Sequence, residues 1–227
     1  MWLLRQAYKE YWDGFIPPLE RMQRMVSGSD SASIRQAALA DAYTATEEYA
    51  HYCFFADAYD ALQGDARLVK PEVLREAGDW AENEYLMDLR RAHKAQYGDL
   101  GERAHRFTEG GYCTLYREGM KLQGRGGIDD IIARACAAVY EDEFDHMLMG
   151  IAGLEAKGIA DSEWEILAAL STEQMRYRIR MRNAQFGYPL SEQQVQALCD
   201  GAAEPLPFDY PRAGMQMPDE AGSKSRL

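Results

Sequence analysis

Glu143 and His146 stand three residues apart in the stretch Val139-Tyr-Glu-Asp-Glu-Phe-Asp-His146, and the same spacing occurs at Glu48-Tyr-Ala-His51 and Glu102-Arg-Ala-His105. On a helix, residues three apart share a face. A carboxylate and an imidazole aimed at one point make half of a metal site. Three of the four histidines have Glu at the third position before them; 20 of the 227 residues are Glu, so composition alone would put one there for about one His in eleven. A helix that turns such a pair inward must bury charge. Burying acids without cations costs several kcal/mol per unpaired charge. The pattern therefore constrains the chain to helices that converge on something positive.

The remaining periodicity agrees with helices. Trp2, Leu4, Tyr8, Tyr11, Trp12, Phe15, Leu19, Met22 and Val26 recur at three-to-four spacing, predicting a helix over 2–26 that Pro17-Pro18 kinks or splits. The polar turn Ser27–Ser31 supplies N-caps for a helix running to about Gln63. Gly64–Lys70 reads as a connection, and Pro71 opens a helix extending to about Gln96. A break at Tyr97–Gly101 precedes a helix over about 102–123. Gly124–Gly127 is a tight turn, and Ile128 starts a helix ending near Lys157-Gly158. A helix over 161–184 and a short one capped by Ser191 follow. No strand signal survives. The fold class is all-α, with residues 1–200 as a single helical domain whose core spans about 2–158, and 201–227 as an extended or disordered Pro-rich tail.

Bulk properties narrow the function classes. A net charge of −12 argues against a nucleic-acid backbone or an anionic membrane surface as partner. The chain has no apolar run of about 18 residues. Four cysteines without CxxC spacing fit reduced thiols and a cytoplasmic setting rather than a cysteine zinc site.

Measured along the helices from their turns, Glu109 and Glu143 reach nearly equal heights in an antiparallel pair. The height matching Glu48 falls between Glu10 and Asp13 on the first helix, so Glu10 is the preferred ligand there, then Asp13, then Glu20. In an unbroken helix neither Glu10 nor Asp13 faces the apolar stripe, and the proline pair is the expected reset. The layout is thus acid, Glu-x-x-His, acid, Glu-x-x-His on four successive helices.

That layout resembles the ferritin-like di-iron carboxylate proteins, over roughly residues 1–158. The resemblance implies a four-helix bundle with additional helices. It implies metal ligands Glu10, Glu48, His51, Glu109, Glu143 and His146, with Glu48 and Glu143 bridging and Glu10 and Glu109 terminal. It also implies catalytic roles for Glu48, Glu109 and Glu143, two iron ions (Fe/Fe, with Mn/Fe as the alternative), and a homodimer. Asp142 before Glu143 is similar to the oxygen-activating branch, where an acid at that place hydrogen-bonds the opposite His; Glu47 occupies the corresponding position before Glu48. Both are otherwise ordinary exposed acids.

Several neighbours have two readings. Gly110-Gly111 inside a helix costs about 1 kcal/mol per residue against alanine, offset either by room beside the metal or by close helix packing. Cys113 lies one turn after Glu109, where hydroxylases of the branch often carry Thr. His105, one turn before Glu109, reads as an extra ligand, an outer hydrogen-bond donor or a core histidine. His93 reads as a surface residue, and Glu141 and Asp145 as solvated. The expectation is an oxidoreductase, a non-haem di-iron oxidase or oxygenase that uses dioxygen on a small organic substrate with an external electron donor. The alternatives are a ferroxidase or iron-handling protein, and a metal-free helical scaffold.

Overall fold

The computed structural model describes residues 1–28, 31–64, 71–154, 157–186, 189–202, 207, 209 and 211–213, and among these it is all-helical. In order the elements are α1 (Trp2–Tyr8), a π-helical segment (Lys9–Phe15), α2 (Ile16–Val26), α3 (Ala32–Gln63), α4 (Pro71–Ala77), α5 (Ala81–Tyr97), α6 (Asp99–Met120), α7 (Gly127–Ile151), α8 (Asp161–Gln185) and α9 (Glu192–Cys199). None of them is long and apolar enough to cross a membrane. The chain divides into two compact units. One comprises Met1–Asp79 with Gly119–Val139, the other Trp80–Glu118 with Tyr140–Leu227.

In the first unit α3 is the central element, packed against α1, the π segment and α2, while α4 packs on α1. Ser31 caps α3 by accepting from Ile34 N at 3.2 Å, and Gly64, in the left-handed region at φ 71°, ends it. Leu3, Ala7, Phe55, Ala58 and Leu74 are buried. Each large apolar side chain removed from water contributes about 1.5–3 kcal/mol. The sequence pattern runs one helix from Pro71 to Gln96, but the chain breaks after Ala77. The reason is Gly78: a Cβ there would lie 2.2 Å from the Tyr8 ring, so the backbone stops against α1 and restarts at buried Trp80.

The second unit is built on α5, α6, α8, α9 and the C-terminal half of α7. α8 packs on α5 and on α9, and Ser191 caps α9 in a reciprocal capping box with Gln194. Ala104, Leu154, Leu167 and Leu170 form one apolar cluster. α6 and α7 approach closely at Gly150, where a Cβ would lie 2.6 Å from Phe107 N. α7 ends at Ile151, short of the expected Gly158. At that end Arg103 donates to the carbonyls of Gly150 (3.3 Å) and Ala152 (2.9 Å). Most of 201–227 lies outside the described residues. Within it, Ala213 is buried against Phe144, Met147 and Leu148, and Arg212 stacks on Phe144 and pairs with Glu141 at 2.8 Å.

Candidate metal centres

Each unit assembles an acid beside a Glu-x-x-His pair. In the first, Glu10 is only 5% exposed and His51 1%. His51 Nδ1 stands 3.9 Å from Glu10 Oε2 and 3.7 Å from Glu48 Oε2. The off-stripe phase of Glu10 is corrected by the π segment rather than by a kink at Pro17-Pro18. Pro17 and Pro18 enter α2 in its first turn, Ile16 N reaches back to the Tyr11 carbonyl, and the widened turn rotates Glu10 inward. The prolines supply the cause: their rings would press on the carbonyls four residues back, at Asp13 and Gly14, in a regular helix.

Asp13 is half-buried and pairs with Lys9 at 3.6 Å, while Glu20 is exposed and pairs with Arg24 at 3.7 Å. Of the three first-helix acids, Glu10 is the one that stands beside His51, at 3.9 Å. Two contributors escaped the sequence reading. Gln6, one turn before Glu10, donates to Glu10 Oε1. Gly14 makes room for Glu48, because a Cβ there would stand 2.4 Å from Glu48 Oε2. Both signals were legible: the i,i+4 spacing of Gln6 to Glu10, and a glycine inside a helical pattern.

Glu10 carries the electrostatic signature of the site. Burial, and then the neighbouring Glu48 carboxylate, push its pKa from 4.5 to about 7, against the opposing pull of His51, Gln6 and Lys9. Tyr52, beside His51 in sequence, is buried in a ring cluster with Tyr11 (5.1 Å) and Tyr49 (5.6 Å). Burial raises its phenol to about 12, so it is neutral.

In the second unit one donor atom each from Glu109, Glu143 and His146 lie within 4.8 Å of one another. Glu143 and His146 are buried, and Glu109 is partly exposed. His105 Nε2 is 3.6 Å from Glu109 Oε1 on the same helix. Gly110 serves packing: a Cβ there would lie 2.3 Å from the Met147 sulfur. Asp145, expected in solvent, is 7% exposed, so this turn of α7 is buried on more sides than its apolar stripe predicts. Glu141 is exposed as expected. Glu47 and Asp142 are half-buried. The Gly111 and Cys113 side-chain surroundings lie outside the described residues.

The donor sets fit hard-to-borderline divalent cations. Oxygen and nitrogen ligands at about 2.0–2.2 Å from one ion stand about 3–4 Å from each other, and the 3.7, 3.9 and 4.0 Å separations within the Glu-His groups match this. Those spacings exceed the 2.7–3.2 Å of ordinary hydrogen bonds. Mixed carboxylate and imidazole ligation suits iron, manganese or zinc better than calcium or magnesium. Comparison with protein-family models, with curated proteins and with solved structures finds no match to the chain.

Proposed function

We propose that the two half-sites bind a pair of transition-metal ions, iron with iron or manganese with iron, and that the protein is a di-metal oxidase or oxygenase. On this reading α1–α2, α3, α6 and α7 are the four helices of a ferritin-like bundle, and Glu10, Glu48, His51, Glu109, Glu143 and His146 are the ligands. The observation that carries the reading is Glu10. A buried acid is brought beside a second acid and an imidazole by a local π distortion, and is held there with a pKa near 7. Without a cation such an arrangement is destabilising; with one, the same proximity becomes favourable. Bound iron would supply reduction of dioxygen coupled to oxidation of a small organic substrate, with an external donor providing the balancing electrons.

The chain's own residues have definable tasks in this scheme. Glu10 must release its proton to ligate, and Gln6 orients its other oxygen. Gly14 leaves the space that the Glu48 carboxylate enters. His51 and His146 must be neutral at the ligating nitrogen. Their burial keeps water away and strengthens every charge interaction at the site.

Anaerobic ferrous titration of the full chain, followed by metal analysis and dioxygen uptake with and without candidate substrates, tests the proposal. Two tightly held ions per chain and stoichiometric uptake are expected. A chain that retains no metal overturns the reading, and assembly into a large cage that mineralises iron would replace it with iron handling.

A further inference from the structure

One buried polar chain in the second unit supplies none of the ligands yet ends beside them. His93, which reads as a surface residue in the sequence, is 6% exposed. It lies on α5 because the face holding Leu86 and Arg90 turns inward, a fact that α5's weak periodicity hides. His93 Nε2 stands 3.3 Å from Glu173 Oε2, and Nδ1 stands 3.2 Å from Gln174 Nε2. Gln174, fully buried on α8, brings Oε1 to 3.1 Å from Thr108 Oγ1 on α6. Thr108 Oγ1 also lies 2.8 Å from the His105 carbonyl and accepts from Arg90 Nη2 at 3.2 Å. Three helices are thus joined through one hydroxyl, directly before Glu109 in the chain.

Counting hydrogens shows how the chain can run. A threonine hydroxyl has one proton, and the His105 carbonyl and Gln174 Oε1 both lie within reach of it. The His105 carbonyl lies inside α6, where the backbone ladder supplies its donor. Given to Gln174 Oε1, the proton leaves Gln174 Nε2 to donate to His93 Nδ1, and Arg90 Nη2 donates to Thr108. Every member of the chain is then satisfied.

We infer that the hydrogen-bond chain from Glu173 and His93 through Gln174 to Thr108 positions the turn of α6 bearing Glu109. His93, Gln174 and Thr108 are positioning residues. The inference about Glu109 rests on the metal-binding reading proposed above.

Cobalt(II) alone, titrated into the full-length protein and followed by its visible absorption, tests the positioning role. Thr108→Val keeps the side-chain shape and deletes the hydroxyl. It is expected to weaken one of two cobalt ions by about 10–100-fold, the usual effect of losing an outer partner, and to alter that ion's band shape. Thr108→Ser should restore both. Thermal melts of the metal-free variants report any loss of folding separately. Wild-type binding and spectrum in Thr108→Val, or failure of Ser to rescue, overturns the positioning role. If wild type binds no cobalt, the metal reading falls instead.

Discussion

The two half-sites use the same residue types and reach them by opposite means. In the first, the backbone is distorted: a π segment turns Glu10 inward and a glycine, Gly14, admits Glu48. In the second, α6 and α7 stay regular, and glycines at 110 and 150 let the two helices approach until Glu109 meets Glu143 and His146. The first is also the more closed. Glu10 is buried, whereas Glu109 keeps contact with solvent beside His105. A local change of helix type and close helix packing are therefore interchangeable ways to satisfy one ligand pattern. The first leaves a buried acid with a displaced pKa, and the second leaves an approachable one.

Substitutions can separate the two. The largest effect is expected from Gly14→Val, which drives a side chain into the Glu48 carboxylate. Cobalt stoichiometry should fall from two per chain to one, with affinity at the first half-site reduced by about 100-fold or more. Retention of both ions would show that Gly14 is incidental.

Glu10→Gln comes next. A carboxyl titrating near 7 keeps, between about pH 4.5 and 7, a proton that the unfolded chain has already released. Stability of the metal-free protein therefore declines as pH rises through that window and remains low above it. At pH 8 the substitution should stabilise the metal-free protein by about 3 kcal/mol and flatten the decline, as read by denaturant melts at several pH values. In the wild type, metal affinity should climb with pH up to about 7 and level off, because the ion must displace that proton.

Gly110→Ala probes the packing route. Its methyl meets Met147, so a stability loss of about 1–3 kcal/mol is expected, with stoichiometry kept at two. Loss of an ion without loss of stability would move Gly110 from packing to ligand access. The smallest effect is expected from Glu20→Gln: the Glu20–Arg24 pair is exposed and worth well under about 1 kcal/mol, and neither stability nor metal content should change measurably.

Most of the helices and the Glu-x-x-His spacings at 48/51 and 143/146 were legible in the sequence because they depend on local rules. Three-to-four spacing, serine caps at 31 and 191, and the glycine stop at 64 act within a few residues of the chain. Hairpin heights also set the first-helix position between Glu10 and Asp13, away from Glu20. What failed was burial of polar groups. Asp145 sits off the apolar stripe of α7, and His93 shares with Leu86 and Arg90 an inward face whose apolar periodicity is weak, so only packing from neighbouring helices encloses them. The break at Gly78 failed for a related reason, since its cause is the Tyr8 ring, about 70 residues away in sequence.

By itself the sequence determined an all-helical chain carrying three Glu-x-x-His spacings, since periodicity, caps and motif spacing are properties of neighbouring residues. Only the tertiary structure decided which first-helix acid joins His51, which glycine admits Glu48, and that His93 is buried with Gln174 and Thr108. Those outcomes depend on desolvation and on contacts between distant segments, which no local pattern encodes.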